Sequence, residues 1–300
     1  MNKQYQALSK KQRWIGVVFL LPFMLHFTIF VIYPFFATVL TSFTNQDLLS
    51  LKNDFVGLKN YQKVLGETLF ARALKNTAVY LLIDGVGVVI FGMLIALCLN
   101  LRVKGLSFFR TACYLPVLFD WVIVSVVFKF MLEPSFGVVN YIIRACGGTG
   151  QGFLTDPNQA LIIVSLCSVW KGAGYYAVFF LAALQDVPKE LKEAAQIDGA
   201  GRVQSFWKIT LPQIMPVAIF VVLISLVGSL KGFDQFYIMT KGGPARTTTT
   251  IMYYFYETAF TNMKAGKGGA IAIIFTAIVL VFVGIQKFFM NRLAGSEGVN

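Results

Sequence analysis

The chain has 300 residues, of which 57% are hydrophobic and only 13% are charged. Soluble domains carry about 25% charged residues, so this composition excludes a water-soluble globular protein. The net charge of +12 is then best assigned to contacts with anionic lipid headgroups, and we expect no nucleic-acid partner.

Long unbroken apolar blocks predict an all-α integral membrane protein with six transmembrane helices in a single domain, 1–300. A bilayer core of about 30 Å needs roughly 20 apolar residues in a helix, whereas a β-barrel would show alternating stretches of about ten. The first block is too long for a cleaved signal peptide, and no small-x-small cleavage site follows it. The predicted spans are about 14–33, 78–99, 111–131, 160–184, 213–230 and 270–290.

Basic residues in the short segments place the N and C termini in the cytoplasm. The N-terminal tail has four basic residues and no acidic one, and the loop after span two carries Arg102, Lys104 and Arg110. Short cytoplasmic segments are enriched in Lys and Arg, whereas long loops translocate largely regardless of charge. The basic residues of the whole chain divide almost evenly between the two sides, so these two segments decide the orientation.

No pattern predicts catalysis or a metal site in this chain. The four cysteines are far apart, the single histidine has no acidic or cysteine cluster beside it, and no nucleophile motif occurs. The phosphate-binding pattern G-x-x-x-x-G-K-[ST] does not occur either. We therefore expect no catalytic residue, no metal and no cofactor in this chain, and any ATP would bind another polypeptide.

The segment 185–212, between spans four and five, predicts a helix–turn–helix in the cytoplasm. A second amphipathic stretch, Val203–Thr210, leads into span five. Ala194 and Ala195 form a ridge of small residues that a partner surface could approach closely, although an amphipathic connector lying on the headgroups is an alternative. Helical spacing is shown by Leu191, Ala194, Ala195 and Asp198. Gly199 and Gly201 then predict the end of the helix and a turn.

This segment resembles the EAA loop of binding-protein-dependent ABC importer permeases. The matching strings are Glu193-Ala194-Ala195, Asp198-Gly199-Ala200 and Ile209-Thr210-Leu211-Pro212. In that family the loop is a coupling helix seated in a cleft of a separate ATPase subunit. The resemblance therefore implies ATPase-coupling roles for Glu193, Ala194, Ala195, Asp198, Gly199, Leu211 and Pro212.

Three other segments are similar to the carbohydrate-uptake branch of that family, the maltose and glycerol-phosphate permease type. These segments are 55–61, 137–140 and 240–244. With six predicted spans, the chain looks like a shorter form of the maltose-type permease. The resemblance implies an importer of an oligosaccharide or glycoside in the bacterial plasma (inner) membrane. It also implies a second, different permease subunit, two ATPase subunits that hold ATP and Mg, and an extracellular solute-binding protein.

Two charges lie near the middle of predicted spans, Asp120 in span three and Lys171 in span four. A charge near the bilayer centre costs about 2.5–3.5 kcal/mol on insertion scales, so each needs a partner or water. The two either pair across packed helices or face an aqueous cavity and contact sugar hydroxyls. Asp84, which is shallower, could be a helix-packing contact alone.

The segment 170–176 is the strongest candidate for sugar contacts, because its aromatic rings can stack on a sugar. Its glycines, Gly172 and Gly174, weaken the helix and allow close approach, as tends to occur where a span lines a cavity. In similar permeases the corresponding helix contributes to the sugar site, and the end of span five lies beside the pathway. The candidate substrate-binding residues are Trp170, Lys171, Gly172, Tyr175, Tyr176, Asp120, Ser229, Lys231 and Asp234.

An ion-coupled secondary transporter is the alternative function. Asp84 and Asp120 would then be protonatable sites within the membrane. No inverted repeat is visible in the sequence, and the 185–212 segment has no role in such a mechanism. These two observations favour the importer.

Overall fold

The computed structural model describes residues 10–50, 53–101 and 105–295, and this part of the chain is helical with one isolated β-bridge, between Thr44 and Phe55. The helices are α1 (Lys10–Phe27), α2 (Tyr33–Ser42), α3 (Lys59–Gly66), α4 (Thr68–Tyr80), α5 (Val86–Leu99), α6 (Leu106–Leu118), α7 (Trp121–Met131), α8 (Val138–Ala145), α9 (Ala160–Asp186), α10 (Lys189–Ile197), α11 (Arg202–Ser205), α12 (Leu211–Leu230), α13 (Asp234–Met239), α14 (Ile251–Tyr256) and α15 (Ala265–Gly295). Short π-helical segments lie at Thr28–Ile32, Leu81–Gly85, Phe206–Thr210 and Glu257–Thr261, and a 3₁₀ turn lies at Phe153–Thr155.

Five helical runs in the described residues are long and apolar enough to cross a membrane, and a sixth is obtained if the bent pair α6–α7 counts as one span. The all-helical membrane architecture predicted from the sequence is thereby confirmed. Several runs extend beyond the predicted spans, because the residues that flank an apolar block continue the same helix. The five runs are Val17–Ser42, Thr68–Leu99, Ala160–Asp186, Arg202–Leu230 and Ala265–Phe288.

The third predicted span, 111–131, is not one continuous helix. It breaks between α6 and α7, whose axes differ by 98°. Phe119 has extended backbone, and Asp120 caps α7, with its Oδ1 accepting the backbone N–H of Val122 at 2.7 Å. Asp is a preferred N-cap residue, because its side chain accepts a backbone N–H that would otherwise lack a partner at the start of a helix. The expectation that Asp120 is a charge halfway along a helix was therefore wrong.

Contacts within the chain form two compact units, and the first comprises the described residues up to 64 together with 258–274. In this unit the buried Asn60 side chain donates to the carbonyl oxygens of Ser42, at 2.9 Å, and Thr44, at 2.7 Å, where α2 ends. The Tyr61 hydroxyl is hydrogen-bonded to Ser42 Oγ at 2.6 Å. A Cβ on Gly266 would lie 2.0 Å from the Thr44 oxygen, so only glycine fits there. The 55–61 segment therefore has a structural role, because its side chains are hydrogen-bonded to the end of α2.

The second unit comprises residues 65–257 and those from 275 onward, and α9 is its principal packing element. Small residues bring α9 close to its neighbours. A Cβ on Gly92 of α5 would lie 3.2 Å from the backbone nitrogen of Ala177, and a Cβ on Gly174 would lie 2.1 Å from the Cys113 oxygen of α6. Such close approach is how helices associate in lipid, where no hydrophobic force drives them together. Gly174 was predicted to weaken the helix and to allow close approach, and the structure confirms the close approach, which is to the backbone of α6.

We expect Gly174→Ala to destabilise the protein by about 1–3 kcal/mol, because the added methyl group overlaps the α6 backbone. The matched control is Gly284→Ala, since Gly284 also lies inside a helix and a Cβ there meets no atom within 4 Å. Thermal unfolding of the purified protein in detergent, followed by tryptophan fluorescence, measures the difference. Equal midpoints for the two variants would contradict the close α6–α9 contact.

Candidate substrate cavity and coupling hairpin

The second unit encloses a cavity of about 310 Å³ whose wall comes from the α4–α5 junction, α7, α9 and the segment between α12 and α13. Most of the predicted substrate-binding residues, which come from two separate segments of the sequence, meet here. Those lining the cavity are Lys171, Gly172, Tyr175, Tyr176, Ser229, Lys231 and Asp234.

A buried carboxylate forms one side of the cavity. Asp84 lies in the π-helical segment Leu81–Gly85, and Ser229 Oγ donates to its Oδ2 at 2.6 Å. Single π-helical turns inside α-helices occur frequently at functional sites. A Cβ on Gly85 would lie 2.7 Å from Leu226 Cδ2, so a glycine lets the α4–α5 junction approach α12 closely enough for this bond. Asp84 therefore belongs to the cavity wall as well as to the packing of α12.

A second buried pair holds the start of α13 against α4. Gln235 Nε2 donates to the Tyr80 hydroxyl at 2.7 Å, and both side chains are buried. The Tyr80 ring also packs edge-on against Phe236, with ring centroids 4.9 Å apart. A Cβ on Gly232 would lie 2.5 Å from the Tyr80 ring, which explains the glycine at this position. These contacts hold the part of the cavity wall that is formed by Tyr80, Gly232 and Gln235.

Lys171 presents a cation to the cavity and is only 8% exposed. Its Nζ lies 4.8 Å from the centre of the Trp121 ring, in the geometry of a cation–π contact. Among the described residues, no carboxylate oxygen lies within 4.0 Å of this ammonium group. The sequence left two roles open for Lys171, an ion pair with Asp120 or a position facing a cavity. The structure shows no direct Asp120–Lys171 ion pair, and Lys171 faces the cavity.

Two of the predicted contact residues do not line this cavity. Asp120 is solvent-exposed at the start of α7. Trp170 is 54% exposed and packs edge-on against Phe128, with ring centroids 5.2 Å apart, in an apolar groove of about 680 Å³ beside α7. Consecutive residues of a helix point about 100° apart, which places Trp170 and Lys171 on different faces of α9.

The cavity also contains residues that the sequence did not reveal, namely Tyr80, Trp121, Ser168 and Gln235. Asp84, which also lines the cavity but was not among the predicted substrate contacts, gave a signal in the sequence as a charge within an apolar block. Tyr, Ser and Gln are compatible with many positions in a membrane helix, so their type alone does not distinguish a cavity wall from a helix contact.

The composition of the wall suits a ligand with many hydroxyl groups. Lys171 and the tyrosine hydroxyls can donate hydrogen bonds, the carboxylates can accept them, and the aromatic rings offer apolar faces. Its volume is at the lower end of the roughly 300–1,000 Å³ typical of ligand pockets. No group of three or more potential metal ligands occurs in the described part of the chain.

The segment after α9 forms the helical hairpin predicted from the sequence. Helix α10 ends at Ile197, and Gly199 has a φ of +80°, which favours glycine. The Ala200 N–H donates to the Ala195 oxygen at 2.8 Å and the Gly199 N–H to the Gln196 oxygen at 3.1 Å, the pattern of a Schellman motif. The predicted glycine stop is therefore confirmed.

One face of the hairpin is exposed. Glu193, Ala194 and Asp198 are exposed, whereas Ala195 is buried, so the predicted ridge of two alanines presents only one of them. Large apolar side chains also face outward, with Ile197 at 87% and Trp207 at 62% exposure. An exposed apolar patch rimmed by charges is typical of a protein interaction surface.

The hairpin is joined firmly to the spans on both sides. Helix α11 continues through a π-helical segment directly into α12. Leu211 packs on a buried cluster that contains Leu184 of α9 and Ile214 of α12, whereas Pro212 occupies the exposed start of α12. Displacement of the hairpin would therefore move α9 and α12 together.

Comparison with known proteins gives consistent matches along the chain. The sequence model of the family described as binding-protein-dependent transport system inner membrane component matches residues 89–295. The probable ABC transporter permease protein YurN of Bacillus subtilis is 34% identical, over 94% of this chain and 98% of that protein. The arabinooligosaccharides transport system permease protein AraP of Halalkalibacterium halodurans is 36% identical, over 93% of this chain and 88% of that protein.

A solved structure of a bacterial alginate ABC transporter, in complex with a periplasmic protein bound to an alginate pentasaccharide, contains a similar chain. The TM-score is 0.83 at 28% identity, over 94% of this chain and 96% of that one. The family match covers more than half of the sequence and includes α9, α12 and the whole hairpin. The chain therefore belongs to the family of binding-protein-dependent transport system inner membrane components.

Proposed function

We propose that this chain is the permease subunit of an ATP-driven ABC importer that carries an oligosaccharide or glycoside across the bacterial plasma membrane. The observation that carries the proposal is the polar cavity within the spans, where Lys171, Asp84 and aromatic side chains meet. The chain is similar to an arabinooligosaccharide permease and to a chain of an alginate transporter, and this similarity supports a carbohydrate as the substrate.

The proposed topology has six spans, with α6 and α7 forming one bent crossing and both termini in the cytoplasm. The basic N-terminal tail and the basic loop after span two support this orientation. The hairpin would then face the cytoplasm, and the long segments that contain α3, α8, α13 and α14 would face outward.

The proposed assembly contains a second, different permease subunit, two ATPase subunits and an extracellular binding protein. The alginate transporter in complex with its periplasmic protein supports delivery of the sugar from outside. The exposed face of the hairpin fits the cleft of an ATPase subunit, which would hold ATP and Mg. The energy for transport would thus come from outside this chain, which we propose has no ATPase site of its own.

In this mechanism the binding protein releases the sugar toward the cavity, and closure of the ATPase subunits moves the hairpin. Because the hairpin is packed against α9 and α12, its displacement changes the cavity wall. Nucleotide state and sugar binding are then coupled, and this coupling must be reciprocal at the level of binding free energies.

Membership of the family favours this importer over the ion-coupled transporter that the sequence left as an alternative. In the cavity the geometry supports Lys171, Tyr175, Tyr176 and Ser229 as sugar contacts. Trp170 and Asp120 lie outside its wall, and we do not include them in the proposed site.

We expect Lys171→Ala to lower sugar uptake by the reconstituted transporter about tenfold or more, because a hydrogen bond to a charged group contributes about 1.5–3 kcal/mol. Lys287→Ala is the matched control, since Lys287 is also a lysine within a span but is exposed and outside the cavity. Uptake of labelled arabino- and malto-oligosaccharides in proteoliposomes measures the effect. Equal uptake by both variants would remove Lys171 from the sugar site.

We expect Gly199→Val to abolish coupled transport while the spans remain folded, since a β-branched residue strongly disfavours a φ of +80°. Gly201→Val is the control, because Gly201 has a φ of −67° and a Cβ there meets no atom within 4 Å. Glu193→Lys tests the same surface by reversing an exposed charge.

Uptake, sugar-stimulated ATP hydrolysis and retention of the ATPase subunits on purification are measured for all three variants. Loss of coupling in Gly199→Val and Glu193→Lys but not in Gly201→Val supports the hairpin as the coupling element. Full uptake by Gly199→Val with its ATPase subunits bound would contradict it.

A further inference from the structure

A second cleft, separate from the substrate cavity, lies along α4 and beside the start of α9, and its volume is about 580 Å³. It combines a cationic side with an apolar side. The residues that define it are Arg72, Lys75, Asn158, Val79, Leu161 and Ile162.

The cationic side of this cleft lacks a neutralising acid. In the described part of the chain, neither Arg72 nor Lys75 has a carboxylate oxygen within 4.0 Å. The Arg72 Nη1 donates to the Ala245 carbonyl oxygen at 3.0 Å, which orients the guanidinium and leaves its other donors available. No acidic residue in the described ranges lines the cleft, and Asp156, which accepts the backbone N–H of Asn158 at 2.8 Å, is not part of its wall. The cleft therefore favours an anion.

The depth of these cations matches the headgroup layer of a bilayer. The apolar block of span two begins at residue 78, whereas α4 begins at Thr68. At 1.5 Å per residue, Lys75 lies about 4.5 Å and Arg72 about 9 Å outside the hydrocarbon core. Each headgroup layer is about 5–8 Å thick, so the backbone of Lys75 lies within this layer and that of Arg72 just outside it.

The apolar side of the cleft lies deeper, as an acyl chain requires. Val79 is in the first turn of the apolar block, and Leu161 and Ile162 are in the first turn of α9. A phosphate held by Arg72 and Lys75 would therefore be followed by a hydrocarbon chain in contact with apolar side chains. A soluble anion would use only the cationic half of the cleft.

We propose that this cleft is a binding site for an anionic phospholipid, with Arg72 and Lys75 contacting the headgroup phosphate and Val79, Leu161 and Ile162 contacting an acyl chain. The outer leaflet is assigned through the orientation proposed above. Lipid binding itself does not depend on transport, so it can fail or succeed independently of the proposed function.

The test is the affinity of the detergent-purified transporter for phosphatidylglycerol, measured by native mass spectrometry. We expect the wild type to bind phosphatidylglycerol more tightly than phosphatidylcholine. Arg72→Gln/Lys75→Gln should weaken phosphatidylglycerol binding roughly thirtyfold, since each basic residue near an anionic lipid surface contributes about a factor of five.

The matched control is Lys63→Gln/Arg144→Gln, which removes the same charges from exposed positions elsewhere; Arg144 also donates to a backbone carbonyl, that of Pro134, at 3.1 Å. This variant should bind phosphatidylglycerol as the wild type does. Equal thermal midpoints of the two double variants in phosphatidylcholine nanodiscs establish that both are folded.

Inorganic phosphate distinguishes a lipid from a soluble anion. We expect phosphate at the same concentration as the lipid to leave phosphatidylglycerol binding unchanged. Displacement of the lipid by phosphate would overturn the proposal in favour of a soluble-anion site. Unchanged phosphatidylglycerol affinity in the Arg72/Lys75 variant, or equal affinity of the wild type for phosphatidylcholine, would overturn it as well.

Discussion

Polar groups within a bilayer must be paired with one another or face water, and this constraint determines how the second unit is built. Ser229 pairs with Asp84, Gln235 pairs with Tyr80, and Lys171 lies against the Trp121 ring. All of these groups converge on one cavity instead of being distributed along the spans. This constraint therefore brings these six side chains of the second unit together at one place.

Close backbone contacts make that concentration possible. Glycines at the α4–α5 junction, in α5 and in α9 let the helix axes approach until short polar side chains reach each other. A side chain at Gly85 would crowd the Ser229–Asp84 bond, because its Cβ would lie 2.7 Å from Leu226 Cδ2 and 3.3 Å from Ser229 Oγ. The glycines that pack the helices and the polar residues that line the cavity thus act together, although only the latter would touch a ligand.

The sequence predicted those features that depend on local patterns. Apolar block length indicated the spans, and the glycines after α10 indicated the turn, since a left-handed residue is required there whatever the tertiary structure. Which residues line the cavity depends on the direction in which each side chain points, and that direction is fixed only when the helices pack. Trp170 and Lys171 are adjacent in sequence but face different surroundings, and Asp120 is a helix cap where it was expected to be a mid-span charge. Nothing in the sequence indicated that Tyr80 and Gln235 line the cavity, because their side chains are positioned by a hydrogen bond to each other that forms only in the folded chain.

Helix α9 links the cavity to the hairpin through continuous structure. Lys171 lies fifteen residues before the end of this helix at Asp186, a distance of about 22 Å along the axis. Over that length Ala173, Ala177 and Phe180 are buried, so the helix is held along its side and cannot bend freely. A closely packed helix transmits displacement because protein interiors are dense and have low compressibility. In the proposed importer, a force applied at the hairpin would therefore reach Lys171 as a movement of the whole helix, and the break between α6 and α7 would let Trp121 respond separately on the other side of the cavity.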